Sequence, residues 1–287
     1  MADKTTWTIK ALLAWTADHF AKKGLDSPRL DAELLLAHVL GCKRIDLIVR
    51  YDEQPNDGER AAFRQLVQKR LDRCPTAYLV GVREFYLLPF EVTSAVLIPR
   101  PDTETLVDAA IEFLKKRPTP TALDVGTGSG CVAVSVAAGV KTAAVTAVDV
   151  SPDAVAVAGR NAKRNNVADR VRLLTGNLFA PLQPGTTFDL IVSNPPYIPP
   201  SEIETLMPEV RDHEPRVALD GGTDGLAFYR RLTAEAKAWL KPGGALMVEI
   251  GHTQGDAVTA LFQAADFTSK VRKDRAGRPR VVVGTCE

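Results

Sequence analysis

Residues 121 to 150 constrain this chain most. An apolar run, Thr121-Ala122-Leu123-Asp124-Val125, closes on Gly126-Thr127-Gly128-Ser129-Gly130, and a helical pattern opens near Cys131. A second apolar run, Ala143-Ala144-Val145-Thr146-Ala147-Val148-Asp149-Val150, follows. Strand, tight turn, helix and strand form a βαβ unit, whose two strands lie parallel in one sheet. The glycines let the backbone turn sharply and approach a ligand at the positive end of the helix.

The same texture continues to the end of the chain. Strands are expected near 121–126, 143–150, 171–176, 188–193 and 244–250, with helices between them. Two last strands, near 267–273 and 279–284, are joined only by Lys273-Asp274-Arg275-Ala276-Gly277-Arg278. That link is too short for a crossover helix, so one terminal strand runs antiparallel. Upstream, from Thr5 to about Arg73, apolar residues recur at three and four: Ile9, Leu12, Leu13, Trp15 and Phe20, then Leu30, Leu34, Leu35, Val39 and Leu40, then Phe63, Leu66, Val67 and Leu71. Ser27-Pro28, Gly41 and Asn56-Asp57-Gly58 punctuate them as caps and turns. Tyr78-Leu79-Val80-Gly81 leads into the aromatic-rich 84–92, a β-hairpin linking two domains. The expected organisation is a helical domain over 1–77, a hairpin linker over 78–98 and an α/β domain over 99–287.

Composition narrows the partners. A net charge of +1 argues against a large nucleic-acid footprint, which shows as a strongly basic domain or stripe, so no stable direct nucleic-acid binding is expected. Cys42, Cys74, Cys131 and Cys286 are scattered without C-x-x-C spacing and read as reduced thiols, which points to the cytoplasm. The opening residues 1–7 lack the basic and apolar regions of a secretory signal, and no apolar run reaches the ~20 residues of a membrane span. His19, His38, His213 and His252 are isolated from one another and from acidic ligand patterns, so no metal site is expected.

Three features carry chemistry. The glycine spacing is G-x-G-x-G, without the G-x-G-x-x-G phosphate fingerprint or a closing G-K-[ST]. Asp149 ends the second strand about twenty residues later, where a carboxylate can accept both hydroxyl protons of a ribose; a helix N-terminal acid ahead of Ser151-Pro152 is the plainer use of it. Phe188-Asp189-Leu190-Ile191-Val192-Ser193 then delivers Asn194-Pro195-Pro196-Tyr197 at a strand end, the position where open α/β enzymes keep their chemistry. One amide followed by two prolines makes a stiff turn short of two donors, which presents carbonyl acceptors to a planar NH2 group. Asn-Pro and Pro-Pro are also ordinary loop punctuation. Their order on successive strands points to S-adenosylmethionine as the ligand and to a Rossmann-like class I methyltransferase fold: a mostly parallel seven-stranded sheet with an antiparallel end strand.

The chain resembles the bacterial release factor glutamine methyltransferases, the HemK/PrmC family. The resemblance rests on Ile98-Pro99-Arg100-Pro101-Asp102-Thr103-Glu104, the 124–130 loop, Asn194 to Tyr197, Glu214-Pro215-Arg216-Val217-Ala218-Leu219-Asp220-Gly221-Gly222-Thr223-Asp224-Gly225-Leu226 and Glu249-Ile250-Gly251, and spans nearly the whole chain. It implies methylation of the side-chain amide nitrogen (N5) of the glutamine in the Gly-Gly-Gln motif of class 1 peptide-chain release factors, with the helical N-terminal domain recognising that protein. It also implies cofactor contacts from Gly126, Thr127, Gly128, Ser129, Gly130, Asp149, Asn177, Leu178 and Asn194. Substrate contacts fall to Asn194, Pro195, Pro196 and Tyr197, with Asn194, Pro195 and Tyr197 catalytic. Where related enzymes often place an acid near the adenine, this chain has Asn177, which can still hydrogen-bond a base edge. Arg100, Asp102, Glu104, Glu214 and Glu249 mark the family without an assigned role, and Gly221-Gly222 reads as a turn.

Two other readings compete. An exocyclic adenine or cytosine NH2 offers the same planar geometry to Asn194-Pro195-Pro196-Tyr197, and a non-catalytic binding module could keep the fold. The near-neutral charge and the selective 98–104 and 214–226 segments weigh against the first. The complete set of glycine loop, Asp149 and Asn194-Pro195-Pro196-Tyr197 weighs against the second.

Overall fold

The computed structural model describes residues 7–286. Residues 1–6, which include the expected start of the helical pattern at Thr5 and most of the stretch read for a signal sequence, lie outside the described residues, as does Glu287. The chain divides into two compact units: residues up to Gly81 together with Pro208–His213, and Val82–Met207 together with the rest from Glu214 onward. No helix among the described residues is long and apolar enough to cross a membrane.

The first unit is helical: α1 (Ile9–Lys22), α2 (Pro28–Val39), α3 (Arg44–Val49), α4 (Asp57–Leu71) and α5 (Thr76–Val80). Thr8 caps α1 by accepting from the Ala11 N–H at 3.2 Å. Asn56 and Glu59 cap α4 reciprocally, at 2.9 and 2.7 Å, the exchange that satisfies two orphan donors of a first turn. Gly81, at φ 73°, ends α5 in the left-handed conformation that glycine adopts without strain. The core gathers Leu13, Phe20, Leu35, Leu36 and Phe63.

Two residues of the expected apolar stripe stand in solvent: Trp15 is 51% exposed and Leu30 39%. Helix α2 turns Asp31, Ala32, Leu35 and Leu36 inward instead. The buried Asp31 carboxylate accepts from Arg70 Nε at 2.9 Å and from Thr76 Oγ1 at 2.7 Å, so the face is set by an ion pair that apolar periodicity does not register. Arg70 also reaches Glu209, at 3.0 Å, which binds the Pro208–His213 segment into this unit.

The second unit opens with an antiparallel hairpin, β1 (Val82–Phe85) and β2 (Leu88–Glu91). Its two turn residues, Tyr86 and Leu87, have φ of 50° and 61°, the pair of positive values that matches strand twist in a two-residue hairpin. Then follow α6 (Glu104–Leu114), β3 (Thr121–Val125), α7 (Cys131–Gly139), β4 (Ala144–Asp149), α8 (Pro152–Arg164), β5 (Val171–Thr175), β6 (Phe188–Ser193), α9 (Pro200–Ile203), α10 (Pro208–Arg211, in the first unit), α11 (Ala227–Ala236), β7 (Leu240–Glu249), α12 (Gly255–Ala264), β8 (Thr268–Lys273) and β9 (Pro279–Thr285).

The seven strands β3 to β9 form one sheet in the order β5-β4-β3-β6-β7-β9-β8. From β5 to β7 the pairing is parallel; β9 runs antiparallel to both neighbours, β7 and the edge strand β8. Both faces are covered, so β6 feeds two cores: Leu190 and Val192 pack with α6 and α7, Ile191 between them with α11 and α12, and Phe188, before the irregularity at 188–190, joins Ile191. That double burial is why β6 reads as an unbroken apolar run. Strand β7 starts at Leu240, four residues before the expected 244, because a register shift opposite Phe188 and Leu190 lets Lys241-Pro242-Gly243-Gly244 remain in the strand. Strand order reverses between β3 and β6, and the crevice beyond the carboxyl ends of strands at such a point is where open α/β sheets bind ligands.

Candidate active site

The glycine loop leaves β3 at a buried carboxyl. Asp124 is 1% exposed, and its Oδ2 accepts from Thr127 Oγ1 at 2.7 Å and from the Ala133 N–H at 3.1 Å. It thereby ties the loop to the first turn of α7. Burial pushes this carboxyl up to about 6, against those two hydrogen bonds. Gly126, Gly128 and Gly130 have φ of 74°, 54° and 78°, a region costly for residues with a Cβ. A Cβ on Gly126 or Gly128 would meet nothing within 4 Å, whereas one on Gly130 would lie 3.0 Å from the Ala158 Cβ. The first two therefore face open space, and the third lets α8 pack close.

Asp149, at the end of β4, accepts the Gly128 N–H on Oδ2 at 2.8 Å and the Ser151 N–H on Oδ1 at 2.9 Å. The carboxylate both shapes the loop and caps the turn into α8. Each oxygen retains a second lone pair. After β5, Asn177 Oδ1 accepts from Arg231 Nη1 at 3.1 Å, which leaves its NH2 as the free polar end. Leu178 follows at φ 50°.

Beyond β6, Ser193 Oγ donates to the Val125 carbonyl at 2.7 Å, joining the ends of the two central strands. Asn194 Nδ2 donates to Thr103 Oγ1 at 3.2 Å. The Tyr197 carbonyl accepts from Gln254 Nε2 at 3.0 Å. Ile198 and Gly221 close the turn, with Ile198 N–H to the Leu219 carbonyl at 3.0 Å and Gly221 N–H to the Ile198 carbonyl at 2.9 Å. A Cβ on Gly221 would lie 2.6 Å from the Tyr197 Cα, and one on Gly225 would press on the Tyr197 carbonyl. The glycines of 221–225 thus make room for the backbone of Tyr197.

These strand ends open on a cavity of about 330 Å3, within the size range of small-molecule sites. Gly126, Thr127, Gly128, Ser129, Asp149, Asn177, Leu178, Asn194 and Pro196 line it; Gly130, Pro195 and Tyr197 do not. Pro195 is buried and Tyr197 packs against the core on the α11 and α12 side. The lining also includes Val96, Leu97, Phe228 and Arg231, which sequence patterns did not single out: Phe228 and Arg231 lie on an ordinary amphipathic helix with no local signal. Asn161 was missed as well. Fully buried on α8, its Nδ2 donates to the Ser129 carbonyl at 2.8 Å and the Glu91 carbonyl at 3.0 Å, and its Oδ1 accepts the Glu91 N–H at 2.6 Å.

Residues 11–81 match the PrmC N-terminal domain family and residues 103–209 the Methyltransferase small domain family. A release factor glutamine methyltransferase of Rhodopirellula baltica is 44% identical over 98% of this chain and 97% of its own length. Another, from Geobacter sulfurreducens, is 48% identical over 97% and 96%. The chain belongs to the release factor glutamine methyltransferase family. A methyltransferase structure from Pyrococcus furiosus, 23% identical, superposes over 76% of this chain and 98% of its own with a TM-score of 0.55, a likeness of fold.

In this member of the release factor glutamine methyltransferase family, the two selective segments meet through one buried side chain. Glu214 accepts the Ile98 N–H on Oε2 at 3.1 Å and pairs with Arg100 through Oε1. Thus 214–226 braces the stretch that enters α6. Glu104 faces elsewhere and accepts the Tyr86 N–H at the hairpin tip at 3.2 Å, while Asp102 pairs with Arg280 at 2.9 Å.

Proposed function

We propose that this protein methylates the side-chain amide nitrogen of the glutamine in the Gly-Gly-Gln motif of class 1 peptide-chain release factors, with S-adenosylmethionine as donor. The observation that carries this reading is that one cavity joins the glycine loop and Asp149 to Asn194. The residues present fit the donor: Gly126 and Gly128 face open space where a ligand would lie, and Asp149 keeps lone pairs for a ribose. Asn177, with its oxygen taken by Arg231, offers its NH2 to an acceptor on the adenine edge, beside Leu178. When bound, S-adenosylmethionine supplies a methyl group already activated by its sulfonium.

The harder task falls to the chain's own residues. An amide nitrogen shares its lone pair with the carbonyl, and abolishing that conjugation costs on the order of the ~18–20 kcal/mol amide rotation barrier. With Nδ2 turned to Thr103, Asn194 has Oδ1 to accept one N–H of the glutamine, and the Pro195 carbonyl accepts the other. The pair orients the NH2 group and favours a more tetrahedral nitrogen; orientation of this kind supplies up to ~7–11 kcal/mol. Pro196 stiffens the turn, and Tyr197 is held by Gln254 to support it. No histidine lies next to the motif, and none is needed, since a methylated amide protonated on nitrogen gives its proton readily to water. The helical residues up to Gly81 recognise the release factor.

The test is incubation with methyl-labelled S-adenosylmethionine and, separately, intact unmethylated release factor, tRNA, rRNA and DNA, with the label located by mass spectrometry. Label on the Gly-Gly-Gln glutamine is expected; label confined to nucleic acid would overturn the substrate. Full-efficiency methylation by a folded chain beginning at Arg83 would remove the helical residues from recognition.

A further inference from the structure

Glu249 ends β7 and is 1% exposed. Val248 pairs with Ser193 across the sheet, so Glu249 lies beside Asn194 where β6 ends. Thr103 and Asn194 both lower the proton affinity of its carboxyl, and Thr103 Oγ1 accepts from Asn194 Nδ2 at 3.2 Å. Its Oε2 has no hydrogen-bond partner among the described residues.

The neighbouring charges do not neutralise it by contact. Arg280 on β9 gives Nη2 to Asp102 and Asp274, at 2.9 and 3.4 Å, and Nη1 to the Ile250 carbonyl at 3.3 Å. On α11, Tyr229 donates to the backbone carbonyl of Glu249, at 2.9 Å. Tyr197 after β6, Asp102 before α6 and Cys131 opening α7 complete the titratable groups that feel it. A buried carboxyl without a salt-bridge contact is costly, and the fold would be served as well by an amide of the same shape.

We propose that Glu249, as a carboxylate, is the positioning residue that fixes which end of the Asn194 amide faces the substrate. The inference rests on the role given to Asn194 above. The oxygen and NH2 ends of an asparagine fill the same space, but only the oxygen end accepts an N–H. An ionised carboxylate has acceptors alone; it takes the Thr103 hydroxyl proton and the Asn194 NH2, which leaves Oδ1 for the incoming glutamine. A protonated carboxyl carries an O–H that binds Oδ1 equally well, and the orientation is lost. Burial pushes Glu249 up to about 7, against Thr103, Arg280 and Asn194 and with the aid of Asp102, so the orientation is set within the neutral range.

The experiment uses the full-length protein and Glu249→Gln. Turnover at saturating S-adenosylmethionine and intact release factor is followed from about pH 5.5 to 9, with donor affinity measured calorimetrically at each pH to separate the titration of Asp124. In parallel, the Asn194 side-chain NH2 signals are followed by 15N–1H NMR, assigned by their loss in Asn194→Ser. In the wild type, kcat should fall about tenfold per pH unit on the acid side of a midpoint near 7, and the Asn194 signals should move with the same midpoint. In Glu249→Gln the acid limb should vanish, with kcat lowered about tenfold and donor affinity unchanged. An acid limb that survives in Glu249→Gln, or Asn194 signals blind to pH in the wild type, would overturn the proposal. If the wild type transfers no methyl to release factor while its Asn194 signals titrate and those of Glu249→Gln do not, the proposed substrate fails and the positioning role stands.

Discussion

Asn161 Nδ2 lies 2.8 Å from the carbonyl oxygen of Ser129, so a side chain on α8 fixes where the glycine loop stops. The same amide holds both backbone groups of Glu91, which fastens β2 beside the loop. Asn161→Ala leaves three buried or half-buried backbone groups without their partner. A loss of roughly 3 kcal/mol is expected, together with weaker donor binding. Urea unfolding and calorimetry measure the two, and a loss within error of zero would show the clamp idle.

Asp149 and Asn194 line one cavity and should separate in their effects. Asp149→Ala removes the acceptor for Gly128 and Ser151 and the proposed ribose contacts, so S-adenosylmethionine should bind roughly 10–100-fold more weakly, the worth of one charged hydrogen bond or more. Asn194→Ala should leave that affinity largely intact and lower kcat about 10²–10³-fold, as loss of an oriented polar group does. Titration beside a turnover assay gives both numbers; unchanged affinity in the first or normal turnover in the second removes that residue from its role.

Two glycines of the loop should likewise differ. Gly130→Ala must adopt φ near 78° and bring its Cβ to 3.0 Å from Ala158, so stability should fall by more than the ~1–2 kcal/mol of left-handed strain. Gly126→Ala meets no protein atom within 4 Å and should lose only that strain, while its methyl intrudes on the ligand. Equal losses of stability in the two variants would contradict the assignment of Gly130 to packing.

Arg70 is buried between two carboxylates, Asp31 at 2.9 Å and Glu209 at 3.0 Å. Burial tends to raise Glu209, yet its hydrogen bonds, including those from Arg70 and Arg73, hold it below the usual carboxylate range. Arg70→Ala leaves Asp31 with Thr76 and Glu209 with Arg73 as their remaining side-chain partners, and a cost of about 3 kcal/mol, the low end for a broken buried pair, is expected. Thermal unfolding should show the loss at neutral pH and a smaller one in acid, where the Glu209 carboxyl accepts a proton.

Stability should also depend on pH through Asp124. Its folded value of about 6 stands above the ordinary 3.8, so the folded state binds the extra proton between those values. The stability this contributes is present in full below about pH 4 and lost as pH rises through 6. Asp124→Asn keeps an oxygen for Thr127 and Ala133 and carries no charge. Its melting temperature relative to wild type should therefore rise between about pH 4 and 7; a constant difference would place Asp124 outside the titration.

The order of elements was legible because strand and helix periods are local, and the glycine loop, Asp149 and Asn194-Pro195-Pro196-Tyr197 announced themselves because special backbone shapes demand special residues. Even there the sequence stopped short. Asp149 reads from the sequence as a ribose acceptor, a helix-start acid or both, and its bond from the Gly128 amide, beside that from Ser151, is not legible there. Trp15 and Leu30 fit an apolar stripe, but the Asp31–Arg70 pair turned α2 another way. Asn161, Gln254, Phe228 and the meeting of Glu214 with Ile98 and Arg100 left no local trace. Asn161 reaches Ser129 across 32 residues, Gln254 reaches Tyr197 across 57 and Glu214 reaches Ile98 across 116, and a contact between remote residues exists only once the sheet has brought its strand ends together. For the same reason the family segments could be recognised in the sequence, while the burial that raises Glu249 beside Asn194 belongs to the tertiary structure.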